Sequence, residues 1–211
     1  LRIADAHLER VLRGQDYLVQ DGAMGTLLQE RGLTAHGELP DLLNFSDPDA
    51  IADIHVGYVR VGAEMITTNT FSANAHKLEG RATVADVYRA AAANARAAGA
   101  RYVAGGLGPI GMLLEPLGTL PFEEAYEIFA EQVRAVVDAG CDIVLIETMT
   151  DLREAKAAVL AAKDFSNLPI FASMTFGEDG RTFLGTPPGV AAAVLSSLGA
   201  HVVGVNCSLG P

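Results

Sequence analysis

Three side chains that could do chemistry stand where an apolar run gives out. Asp21 follows Tyr17-Leu18-Val19-Gln20, Glu147 follows Ile143-Val144-Leu145-Ile146, and Cys207 follows Val202-Val203-Gly204-Val205-Asn206. Each is succeeded by turn chemistry or a small residue. A thiol at the end of a buried strand is a candidate nucleophile or metal ligand, because only its thiolate attacks or coordinates well. An unpaired carboxylate at the end of an apolar strand is costly unless it has a task, such as holding a cation or moving a proton. Thr68, in Thr67-Thr68-Asn69-Thr70, adds a hydroxyl at another strand end, and Gly22-Ala23-Met24-Gly25-Thr26 offers backbone N–H groups with little side-chain bulk.

The elements that must position these groups follow from periodicity. Apolar runs predict strands near 17–21, 65–68, 102–106, 143–147, 170–174 and 202–206. The stretches between them carry helix punctuation. Asp47-Pro48 opens a helix that Gly62 closes, and the stretch 122–139 ends at Gly140. Asp151 with Glu154 reads as a capping box, and Thr186-Pro187 opens a helix closed by Gly199. A further helix near 3–12 is expected to cross the bottom of the sheet.

Alternating strands and helices predict an α/β protein with a parallel sheet. Polar or turn residues close nearly every strand, which favours a (β/α)₈ TIM barrel over a doubly wound sheet with one switch point. About six of the eight βα units are expected here, with residues 1–211 forming one barrel domain cut before its last two strands. The first and sixth strands would then be open edges, inviting self-association.

Composition sets the outer limits. The 211 residues are 50% hydrophobic, with no Trp, so aliphatic side chains fill the core. Acidic residues outnumber basic ones 26 to 15, for a net charge of −11, the wrong sign for a nucleic-acid partner. Two cysteines without framework spacing point to a reducing compartment. No apolar run reaches ~18 residues and Leu1–Asp5 is not a signal peptide, so a cytoplasmic location without membrane insertion is expected. Cys141, at the start of its strand, is expected in the core. His7, His36, His55, His76 and His201 form no metal-binding pattern.

Five pieces carry a resemblance, in order: Asp21-Gly22-Ala23-Met24-Gly25-Thr26, Thr67-Thr68-Asn69-Thr70-Phe71, Gly106-Leu107-Gly108-Pro109, Ile146-Glu147-Thr148, and Gly204-Val205-Asn206-Cys207-Ser208-Leu209-Gly210-Pro211. Together they resemble the homocysteine S-methyltransferase family, most closely the homocysteine-binding barrels of cobalamin-dependent methionine synthases and of bifunctional homocysteine methyltransferase/folate reductase proteins. The resemblance implies zinc held by three cysteines, of which Cys207 matches the first. The adjacent pair that would follow the eighth strand has no counterpart here, so this chain alone is expected to bind zinc weakly and to be inactive.

The resemblance further implies that Asp21, Gly22, Thr68 and Glu147 contact L-homocysteine. It implies a methyl donor from a folate or cobalamin, presented by a donor module or as methyltetrahydrofolate, and methionine as product. Two other readings stay open on the residues themselves. One is a metal-independent, lyase-like barrel enzyme using Glu147 as base. The other is a non-catalytic fragment that keeps only the fold.

Overall fold

The computed structural model describes residues 1–34 and 38–208. His36 and the Leu209-Gly210-Pro211 end of the last motif lie outside them. The chain enters through α1 (Ala6–Leu12), capped by Asp5, whose carboxylate accepts the Leu8 N–H at 2.9 Å. Then follow α2 (Gly25–Glu30), a 3₁₀ turn (Pro40–Leu42), α3 (Leu43–Ser46), α4 (Pro48–Arg60) and β1 (Met65–Thr67). Next come α5 (Ala75–Leu78), α6 (Val84–Ala97), β2 (Tyr102–Leu107), α7 (Phe122–Asp138) and β3 (Ile143–Met149). The described chain closes with α8 (Leu152–Phe165), β4 (Ile170–Met174), α9 (Pro188–Leu198) and β5 (Val202–Val205).

Among the described residues all four strand pairings are parallel and the order is sequential, β1-β2-β3-β4-β5. That is barrel order without a central switch point, and the sheet is a partial barrel. The expected strand at 17–21 is reduced to one bridge, Gln20 to Met65. Its backbone still lies along β1. Glu64 and Met65 both donate to the Val19 carbonyl, and Asp21 N–H donates to Met65 at 3.0 Å. Tyr17 and Val19 are exposed, so this edge lacks the burial that would extend the ladder.

Side-chain alternation divides the sheet into two faces. The outer face, with Ile66, Val103, Leu107, Val144, Ile146, Ala172 and Met174, packs against the helices. The inner face is apolar at its base, where Met65, Tyr102, Ala104, Ile143, Leu145 and Phe171 surround Leu8 of α1. The helix expected at the bottom is therefore there, and Leu8 plugs the barrel floor. Arg2 and Tyr102 lock it further, the first donating to the Cys141 carbonyl at 2.8 Å and the second to Asp5 at 2.7 Å.

Two helix starts differ from expectation. Asp151 caps α8 by accepting the Arg153 N–H, but Glu154 does not complete a capping box. Its carboxylate accepts the Ile110 N–H at 2.6 Å and is buried. A tertiary donor from the loop after β2 has outcompeted the local one. The α9 start falls one residue later than expected, with Pro187 rather than Thr186 at the cap. Among the described residues no helix is long and apolar enough to cross a membrane.

Candidate active site

At the upper end of the inner face the alternation continues but the chemistry changes. Thr67, Gly106, Glu147, Ser173 and Asn206 succeed the apolar layers on β1, β2, β3 and β4 and just past β5. Glu147, Ser173 and Asn206 line a cavity of about 130 Å³ together with Gln20, Leu145, Phe171 and Gly204. Parallel strands bring these ends together at one mouth, as barrel enzymes do.

Asp21 enters the mouth from the segment before α2. Its two carboxylate oxygens accept the Thr67 N–H and the Thr67 hydroxyl, each at 2.9 Å. Burial nonetheless raises its pKa to about 6, against the lowering by both Thr67 bonds. Glu147 is raised further, to about 7, first by burial and then by the charge of Asp21. The two carboxylates thus share a site and resist ionising together. An arriving cation would relieve both costs.

Gly106 explains how they fit. A Cβ there would lie 3.0 Å from Thr67 Cγ2 and 3.2 Å from Glu147 Oε1, so a side chain would press on both. Gly22 is exposed, and a Cβ on it would come 2.9 Å from the Tyr58 hydroxyl. That hydroxyl donates to the Ala23 carbonyl at 2.9 Å and ties the 22–26 loop to α4.

Glu147 precedes an irregularity. The β3–β4 register shifts between Ile146 and Met149, and Thr148 takes the left-handed conformation at φ 60°. Such bulges re-aim side chains beside active sites. Cys207 is also left-handed, at φ 51°, and exposed. The Thr148 hydroxyl stands 3.6 Å from its sulfur. Cys141 is a second free thiol, buried at the opposite end of the sheet, where burial pushes its pKa to about 12.

The structure therefore gathers Asp21, Glu147 and Cys207 at one mouth, with the Gly22 loop on its rim. Thr68 is different. Its hydroxyl is buried, 2.7 Å from that of Thr70, and accepts the Gly106 N–H at 3.0 Å. It braces β2 from behind, while its neighbour Thr67 presents a hydroxyl to Asp21. Sequence reasoning passed over Thr67, Asn206 and Tyr58. Period-two counting from Met65 would have found Thr67; nothing in the sequence marks Tyr58.

Among the described residues no three His, Cys, Asp or Glu side chains converge as a metal-holding group. A catalytic zinc takes about three protein ligands, and Cys207 supplies one. The described residues do not fit the metal by themselves.

Fold and mouth together define a partial β/α barrel that places a carboxylate pair and an exposed thiol at the C-terminal end of its parallel sheet. The sequence profile of the homocysteine S-methyltransferase family matches residues 18–211, and the chain belongs to that family. It is 33% identical over 93% of its length to a methionine synthase of Mycobacterium leprae, and 32% identical over 99% to one of Mycobacterium tuberculosis. It spans only 18% and 20% of those proteins' lengths.

Among solved structures it is similar to the oxidized form of the homocysteine methyltransferase MmuM from Escherichia coli. There the TM-score is 0.82 at 24% identity, covering 96% of this chain and 77% of that one. The metallated form of the same protein gives a TM-score of 0.80 at 25% identity, covering 95% and 77%.

Proposed function

We propose that this chain is the homocysteine-binding part of a methyltransferase that converts homocysteine to methionine. The observation that carries the reading is the Asp21–Glu147 pair, two carboxylates with raised pKa values at the mouth that also exposes Cys207. An α-amino acid with a terminal thiol matches that spread of groups. Its ammonium neutralises the carboxylates, its carboxylate meets N–H groups of the 22–26 loop, and its sulfur extends toward Cys207. Gly22 keeps the loop close, and Thr68 supports the site by holding Gly106.

In the transfer, the substrate sulfur forms a bond to a methyl carbon as that carbon's bond to the donor breaks, and the thiol proton leaves. Holding the sulfur in line with the methyl group supplies much of the rate. The donor we propose is a methylated folate or cobalamin, brought by a further module or free in solution. Residues 1–211 act as one domain whose sheet is completed by two further βα units beside β5, where Val205 is 63% exposed. Cys207 is one zinc ligand there, the others lying beyond the described residues.

Methionine formation from L-homocysteine and methyltetrahydrofolate, with and without cobalamin, tests this in the full-length protein. Loss of product in Cys207→Ala and Glu147→Gln is expected. Undiminished turnover in both variants contradicts it.

A further inference from the structure

The Asn206 side chain joins Thr148, Ser173, Glu147 and Cys207 across the mouth. Its Oδ1 accepts the Thr148 N–H and the Ser173 hydroxyl, both at 2.8 Å. Its Nδ2 donates to the Thr148 hydroxyl at 2.8 Å, to Glu147 Oε2 at 3.3 Å and toward the Cys207 sulfur at 3.5 Å. The orientation of the amide follows from chemistry. Thr148 N–H can only donate, so the oxygen must face it, and the NH₂ then faces an ionised carboxylate that can only accept.

Asn206 thereby clasps the two left-handed residues at this mouth, Thr148 and Cys207. A β-branched residue at positive φ is rare and persists only when its surroundings dictate it. Thr148 sits in the bulge that aims Glu147, and Cys207 carries the thiol. One planar amide thus sets the spacing between the carboxylate and the sulfur. Neither Asp nor an apolar residue could do the same: Asp lacks the donors, and an apolar residue lacks both functions.

We infer that Asn206 is a positioning residue that registers the ammonium-binding carboxylate Glu147 against the Cys207 thiol, so that one amino acid can meet both. This rests on the homocysteine reading above. Among the described residues, Asp21 is the titratable group that faces Glu147 directly.

The test is calorimetric titration of L-homocysteine into the full-length protein across pH 5.5–8.5, comparing wild type, Asn206→Ala and Asn206→Asp. The alanine variant is expected to bind at least fivefold more weakly at pH 8, with the pH midpoint of affinity moved upward because ionised Glu147 has lost a donor. The aspartate variant keeps both acceptor bonds, so it guards against simple unfolding. It should show the same upward shift, enlarged by a like charge beside Glu147. A packing role would weaken binding without moving the midpoint, and that result overturns the inference. So does wild-type affinity in either variant, or loss of fold in both. Absence of homocysteine binding by the wild type overturns the homocysteine reading together with the inference.

Discussion

Thr67 holds Asp21 from two sides, its backbone N–H on one carboxylate oxygen and its hydroxyl on the other, both at 2.9 Å. Removing only the hydroxyl isolates one of these bonds. Thr67→Val is expected to weaken homocysteine binding by about 1.5–3 kcal/mol, the range for a hydrogen bond to a charged group. Thermal melting should change little, because Thr67 is only partly buried. Parallel calorimetry and melting check both halves; unchanged affinity would remove Asp21 from the site.

Proton release on binding follows from the pair's pKa values. Asp21 titrates near 6 and Glu147 near 7, so at pH 6.5 part of the pair is protonated. An ammonium favours the ionised forms, so binding expels protons, and affinity rises as pH climbs through both values. Titration at pH 6.5 in buffers of different ionisation enthalpy should report net proton release that fades by pH 8.5. Proton uptake would contradict the ammonium placement.

Glu154 offers a stability prediction away from the mouth. Its pKa is raised to about 7, chiefly by burial, and the Ile110 N–H lowers it only in part. A raised carboxylate retains its proton in the folded state after the unfolded chain has lost its own. Its contribution is therefore present below the unfolded value near 4.5 and is lost as pH rises toward 7. Glu154→Gln should stabilise the protein by about 1–3 kcal/mol at pH 8 and by much less at pH 4.5. Denaturant unfolding at the two pH values measures the difference.

His55 of α4 behaves in the opposite sense. It is fully buried, neither ring nitrogen has a partner among the described residues, and burial lowers its pKa to about 4. The unfolded chain takes up a proton near 6.5 that the folded one refuses, so stability falls as pH drops from 6.5 toward 4. His55→Leu should add about 1–3 kcal/mol by removing unpaired buried polar atoms. The gain should be larger at pH 5 than at pH 8 in the same unfolding assay.

Much of this architecture was legible in residue patterns. Five of the six apolar runs marked strands, and Gly62, Gly140 and Gly199 closed their helices at positive φ as expected. The strand at 17–21 was overestimated because Tyr17 and Val19 face solvent, a tertiary fact that periodicity does not carry. At the mouth, Asp21, Glu147 and Cys207 stood out because each ends an apolar run. Thr68 entered through the resemblance; its hydroxyl accepts the Gly106 N–H, while that of Thr67 meets Asp21, because in a strand one residue exchanges the two faces. Asn206 was visible only as a strand end. Its role depends on the bulge at Thr148, which pairs residues 58 apart and leaves no local signature.

Completion of the sheet makes a further prediction. Dialysed against a mild chelator, the 211-residue chain should retain little zinc, whereas a form extended through two more βα units should retain about one per chain and lose it in Cys207→Ala. Metal analysis decides it. Sedimentation of the same samples should show concentration-dependent association of the short form through its open β5 edge.

The most direct measurement is calorimetric titration of L-homocysteine into full-length wild type and Glu147→Gln at pH 8. The carboxylate-pair reading predicts binding by the wild type and a loss of about 1.5–3 kcal/mol in the variant, as the ammonium surrenders a charged partner. Equal affinity in the two proteins, with both folded, would contradict it.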